Sequence, residues 1–113
     1  MAQSLIPAAW LKDVCARLEA ETGIDWSIDG RRRFETEFSP LWTYHVYPAL
    51  LEGLSGAPKG CKVEMGPLET WEFLFRFKGE QMYGKIKLLP GRKKIKIFSA
   101  HKSDGTVLSC GAH

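Results

Sequence analysis

The chain is expected to fold as an α+β domain in which N-terminal helices lie on one face of an antiparallel β-meander. Three observations carry this expectation. Helical spacing of apolar residues is confined to the first half, alternation of period two runs through the second half, and turn residues divide that alternating stretch into hairpins. With 113 residues, of which 44% are hydrophobic and 12% aromatic, the sequence reads as a single globular domain spanning 1–113, able to hold a core without staples.

Ser4 is the expected N-cap of a first helix, where Leu11, Val14, Cys15 and Leu18 recur at helical spacing with Trp10 beside them and Gly23 supplies the stop. Residues 24–28 alternate like a short strand and run into Asp29-Gly30, a strong turn signal. Arg31-Arg32-Arg33 would then lie in a solvated loop, with a phosphate-binding rim as the functional alternative. Ser39-Pro40, a cap followed by proline, opens a second helical stretch through Leu54. Its buried stripe is Trp42, Val46, Leu50 and Leu54, and Pro48 should kink it or split it in two. His45, between Tyr44 and Tyr47, reads as a partly exposed structural histidine. Gly53, Gly56, Pro58 and Gly60 form the loop back to the sheet, where Cys61, Val63 and Met65 alternate as a strand.

In residues 71–78, Trp71, Phe73, Phe75 and Phe77 alternate with a more polar set, so one face of that strand is buried. Gly79-Glu80 fits a two-residue hairpin loop with glycine first, and Pro90-Gly91 marks the next turn. The first loop sets Phe77 opposite Met82 and Phe75 opposite Gly84. The second sets Ile86 opposite Ile95 and Gly84 opposite Ile97. Both registers agree on one apolar face. The other face then carries Arg76, Lys78, Tyr83, Lys85, Lys87, Lys94, Lys96 and Phe98, with Lys87 against Lys94, Lys85 against Lys96, and Tyr83 beside Phe98.

Like charges directly opposite cost a few tenths of a kcal/mol per pair, in the order-of-magnitude sense. A polyanionic partner would offset that cost, and aromatic rings among cations suit unstacked bases. The bland alternative is that lysines keep sheet edges from associating. Charge is distributed unevenly. Residues 76–102 hold nine Lys/Arg against one acid, Glu80, whereas residues 1–75 carry a net charge of −4, and the whole chain is +3. The acidic half could mask the basic face within the chain.

Cys15, Cys61 and Cys110 lack paired short spacing and read as reduced thiols of a cytoplasmic protein. Cys110 and His113 offer only two of the four ligands of a structural zinc site, so no metal is expected. No apolar run reaches the ~20 residues that span a bilayer, and the N-terminus lacks a signal-peptide pattern, so no membrane partner is expected. Signatures of phosphate loops, dinucleotide folds, hydrolase elbows and zinc proteases are absent, and no cofactor is expected.

What remains is Ser99-Ala100-His101-Lys102 at the end of the last strand. Cleaving RNA without a metal requires a base, cations for the phosphorane and an acid, and a histidine among lysines, arginines and a tyrosine can supply them. Residues 71–78, 82–85 and 94–102 together resemble the C-terminal sheet of the RelE and HigB group of toxins from bacterial toxin–antitoxin modules. The likeness covers about the last third of the chain. It implies a small basic endoribonuclease acting on RNA, messenger RNA on the ribosome in many members, neutralised by an antitoxin protein. His101, Tyr83 and Lys85 would then be catalytic, and Arg76, Lys78, Lys87, Lys94, Lys96, Phe98 and Lys102 would bind RNA. Strict alternation puts Ser99 and His101 on the buried face, so only a bulge or an early strand end brings His101 to the lysines. The alternatives are a non-catalytic nucleic-acid-binding module and an interaction domain for an acidic protein.

Overall fold

A proline at position 7 decides where the first helix begins. The residue before proline is held out of the α region, so α1 runs Ala8–Ala20 instead of starting at Ser4, and Ser4–Leu5 forms a short strand, β1. The fold is described from a computed structural model covering residues 3–56, 58–65, 68–103, 108 and 110, with backbone only at 64, 65 and 68. Trp10, Val14 and Leu18 form the buried stripe of α1, and Glu21, in the left-handed region, ends it before Gly23.

β2 (Ile24–Trp26) is the expected short strand, but the turn after it is the first turn of α2 (Ile28–Glu37). Ser27 is extended and its Oγ accepts a hydrogen bond from the Gly30 N–H at 3.0 Å, so Ser27 caps a helix where Asp29-Gly30 signalled a hairpin. The three arginines therefore stand on a helix, with Arg31 and Arg33 reaching Glu35 and Glu37 one turn on, at 3.4 Å each. The Ser39–Pro40 bond is cis and opens no helix. A 3-10 turn, Thr43–Val46, leads into α3 (Tyr47–Gly53), which has Pro48 in its first turn, so the proline splits the segment as expected. Val46, Leu50 and Leu54 are buried, whereas Trp42 is 61% exposed and leaves the predicted stripe.

Then come β3 (Lys59–Met65), β4 (Leu68–Phe77), β5 (Glu80–Leu88) and β6 (Ile95–Lys102). The sheet order is β1-β3-β4-β5-β6-β2, antiparallel throughout except that β2 runs parallel to β6. Helices cover one face. Phe34 of α2, Phe38 and Phe77 meet with ring centroids 5.2 and 5.0 Å apart in sequence along the cluster, and Trp10, Leu50, Phe73, Ile86 and Ile97 complete the same core. The α+β architecture, with helices packed on a mostly antiparallel sheet, is the one the sequence predicts.

Both hairpin registers differ from expectation by two residues. Lys78 (φ 55°) and Gly79 (φ 76°) are the two left-handed residues of the first turn, so the loop is Lys78-Gly79 and Phe77 pairs with Glu80, Phe75 with Met82 and Phe73 with Gly84. In the second hairpin Leu88 pairs with Ile95, Lys87 with Lys96 and Ile86 with Ile97. A shift of two preserves the pleat, so each side chain keeps its face. The next step does not preserve it. Lys85 pairs with Ser99, leaving Phe98 as the extra residue of a β-bulge, and from there Gly84 pairs with Ala100 and Tyr83 with His101.

The face away from the helices is not wholly open. Leu108 and Cys110 lie over Cys61, Leu74 and Tyr83 in a second apolar cluster, and Cys61 is joined to Cys110 by a disulfide. This corrects the reduced-thiol reading for that pair. Cys15 remains free, its thiol pushed up chiefly by burial and further by Glu19. Cys110 is described, but positions 111–113, including the His113 weighed as its co-ligand, lie outside the described residues. Among the described residues no helix is long and apolar enough to cross a membrane.

Candidate nucleic-acid interface

Three rows of side chains cross the outer face of the sheet. Thr70, Lys87, Lys96 and Asp25 form one from β4 to β2. Glu72, Lys85 and Ser99 form the next, and Leu74, Tyr83 and His101 the third. Between the first two rows the bulge displays the partly exposed ring of Phe98, with the Lys85 and Lys96 ammonium groups 5.8 and 5.4 Å from its centroid. A bulge turns two successive side chains toward one side of the sheet, which is why Phe98 and Ser99 share this face.

That geometry revises the expected pairings. The facing lysines are Lys87 and Lys96; Lys94 lies in the turn, where its carbonyl accepts from Leu89 N–H at 3.0 Å. Lys85 sits between Glu72 and Ser99, and Tyr83 neighbours His101 in place of Phe98. The same bulge carries His101 across to the face of Tyr83 and Lys85, the condition that strict alternation had denied. Its ring stacks on Tyr83 with centroids 5.1 Å apart. Nδ1 is 2.8 Å from the Lys102 carbonyl, which can only accept, so that contact needs the proton on Nδ1 and leaves Nε2 as the lone-pair nitrogen of the neutral ring.

Being on the right face is not the same as being open. His101 and Tyr83 are each 7% exposed, and Glu72 is 5% exposed. The Tyr83 hydroxyl donates to the Glu72 carboxylate. Burial, then that hydrogen bond and the carboxylate's charge, push the Tyr83 phenol far above its ordinary value. Tyr83 is held as a neutral donor, with Leu108 packed against it, and so is poorly placed to take a proton from a substrate hydroxyl.

The remaining predicted contacts scatter. Arg76 is exposed at the hairpin end of β4 and donates to the Gly79 carbonyl at 2.7 Å. Lys78 is in the turn itself, its ammonium 5.8 Å from the Phe77 ring. Lys102 belongs to the helix side: its N–H donates to Glu37 at 2.9 Å and its ammonium lies 5.7 Å from Phe38. The basic field thus resolves into a compact set, Lys85, Lys87, Lys96 and Phe98, beside a closed polar cluster of Glu72, Tyr83 and His101. Among the described residues no three His, Cys, Asp or Glu side chains converge as a metal site requires.

Sequence reasoning missed three participants. In the sequence Glu72 reads only as part of a polar alternation, nothing connects Asp25 to Lys96, and the bulge is only a condition on His101. Its signal was present in the polar pair Ser99 and His101, which break the apolar parity of Ile95 and Ile97. No family model, curated protein or solved structure matches the chain.

Proposed function

We propose that the protein binds single-stranded RNA on the outer face of β5 and β6, with Phe98 as a stacking platform and Lys85, Lys87 and Lys96 contacting phosphates. The observation that carries this reading is the Phe98 ring raised on a bulge between two ammonium groups at 5.8 and 5.4 Å. Stacking a base on an aromatic side chain contributes about 1–3 kcal/mol, more than the ~0.5–1 kcal/mol of an exposed cation–π contact. A base gives the ring more than either lysine alone does, and the facing Lys87–Lys96 pair is relieved by a phosphate.

A second reading, endoribonuclease activity of the toxin type, is favoured by the bulge that sets His101 beside Tyr83 and in the row next to Lys85. The substrate would then be messenger RNA on the ribosome, an antitoxin would be the protein partner, and the protein would act in the cytoplasm. Reducing thiol pools there would act on the Cys61–Cys110 bond, so the measurements belong in both redox states.

Binding of a labelled single-stranded RNA tests the first reading. Phe98→Ala is expected to weaken affinity roughly 5- to 150-fold, and Lys96→Ala to lower the salt slope by about 0.7. Wild-type affinity and slope in both variants would refute it. If the RNA is cut, and His101→Ala stops cutting while affinity holds, the ribonuclease reading stands; no cutting by wild type, oxidised or reduced and with or without translating ribosomes, removes it. Displacement of RNA only by an acidic peptide that binds more tightly would favour a protein partner.

A further inference from the structure

The basic surface does not end at β6. Beyond Lys96 the sheet terminates at β2, and along that edge a cleft of about 770 Å³ opens between α2 and the 3-10 turn before α3. Arg31, Arg32, Thr43 and Tyr47 line it, with Asp25 and Lys96 at its sheet side. Lys96 joins the two surfaces, because the residue that flanks Phe98 also borders the cleft.

The charges in the cleft are not equivalent. Arg31 is held by Glu35 at 3.4 Å, and Asp25 stands opposite Lys96 in the β2–β6 register. Arg32 is exposed and has no carboxylate within ion-pair distance among the described residues. Trp26 Nε1–H donates to the Tyr47 hydroxyl at 3.0 Å, which leaves the Tyr47 hydrogen available to an acceptor. An unpaired guanidinium, a hydroxyl donor and a volume within the ~300–1,000 Å³ range of small-ligand sites suit a phosphate-bearing unit of nucleotide size.

We infer that this cleft is a second subsite for the same strand: RNA stacked on Phe98 passes over Lys96 and the β2 edge, and Arg32, with Tyr47, takes a backbone phosphate of a nucleotide seated between α2 and the 3-10 turn. The inference rests on the proposed RNA-binding face and adds to it a direction and a longer footprint. Asp25 and Glu35, which accept hydrogen bonds and repel phosphate, leave the sugar and base edge as the groups that face them.

The test is the length dependence of binding with oligouridylates of increasing length, comparing wild type with Arg32→Gln, Arg33→Gln and Phe98→Ala. Arg33 removes the same charge from the same helix but does not line the cleft, and both arginines are exposed, so neither change threatens the fold. Wild-type affinity should keep rising with length, whereas Arg32→Gln should plateau at a shorter oligomer and fall short by roughly three- to tenfold on long ones. Arg33→Gln should track wild type. The subsite is overturned if Arg32→Gln follows wild type at every length, or if the two arginine variants lose affinity equally. Failure of the sheet-face reading looks different: Phe98→Ala would then bind like wild type while the Arg32→Gln defect persisted. Absence of any binding by wild type would overturn both.

Discussion

Gly30→Ala is the most direct test of how the bulge is held. In an exposed helix this change stabilises by about 1 kcal/mol, chiefly because alanine leaves the unfolded chain less freedom to lose. Here an added Cβ would lie 2.3 Å from the Phe98 carbonyl oxygen, 2.9 Å from its carbon and 2.8 Å from Ser27 Oγ. Two of those atoms are backbone at the bulge and the third is the hydroxyl that caps α2 and itself donates to Phe98 O at 3.3 Å. Relief requires α2 to lift from β6 by about 1 Å, an overpacking cost of ~1–3 kcal/mol, and it loosens a cap that contributes about 1 kcal/mol. The costs exceed the gain, and a net loss of about 2 kcal/mol is expected, read as a lower urea midpoint by circular dichroism at unchanged slope. RNA affinity should fall with it, because Phe98 rides on the displaced backbone. Thr36→Ala, on the exposed side of the same helix, serves as the control and should change stability by less than about 1 kcal/mol. A Gly30→Ala protein as stable as wild type would refute the close approach of α2 to the bulge.

Two further outcomes are expected. The Cys61–Cys110 bond spans 49 positions, for which the chain-entropy relation gives about 4 kcal/mol. Cys110→Ser, or reductant added to wild type, should therefore lower the urea midpoint, and equal midpoints in oxidised and reduced protein would show that the bond contributes nothing. Tyr83→Phe should cost about 1–3 kcal/mol near neutral pH, because the buried Glu72 carboxylate loses the Tyr83 hydroxyl as a donor. Its pH signature is directional. Below about pH 10 the phenol is protonated in both states, but above it the unfolded chain ionises first while the folded phenol, pushed up, does not. Wild-type stability should therefore fall as pH rises past about 10, and Tyr83→Phe should fall less steeply; parallel urea-midpoint profiles for the two proteins would argue against the buried phenol–carboxylate contact.

Side-chain parity was legible where the register was not. Trp71, Phe73, Phe75 and Phe77 assign a face whatever the loop, and a slip of two residues moves every partner while moving no side chain through the sheet. The loop itself depended on Lys78 accepting a left-handed conformation, which a non-glycine residue advertises weakly. Asp29-Gly30 failed differently. Glycine has two uses, a turn or a close backbone approach, and only tertiary packing tells them apart. Gly30 is present because Phe98 lies against it. Ser4 caps no helix because Pro7 sets where α1 begins, and the Cys61–Cys110 pairing is not legible because the partners are 49 positions apart and meet only where Cys110 lies over the sheet.

The candidate site turns on that one extra residue. Without the bulge, Phe98 would stay outside but Ser99 and His101 would point into the helix-side core, where two polar side chains would meet Phe34, Phe38 and Phe77 and incur the cost of unpaired burial. With it, Ala100 faces the core, and the polar residues turn outward to Lys85 and Tyr83. The insertion that rescues the core thereby builds the outer face. It raises one aromatic ring among lysines and brings a histidine onto a tyrosine, and only the first of these is open to a partner. The proposed binding needs only the open half. Cleavage would further require the Glu72–Tyr83–His101 cluster to be uncovered, and Leu108, tethered near Cys61 through Cys110, is the side chain that would have to leave Tyr83 first.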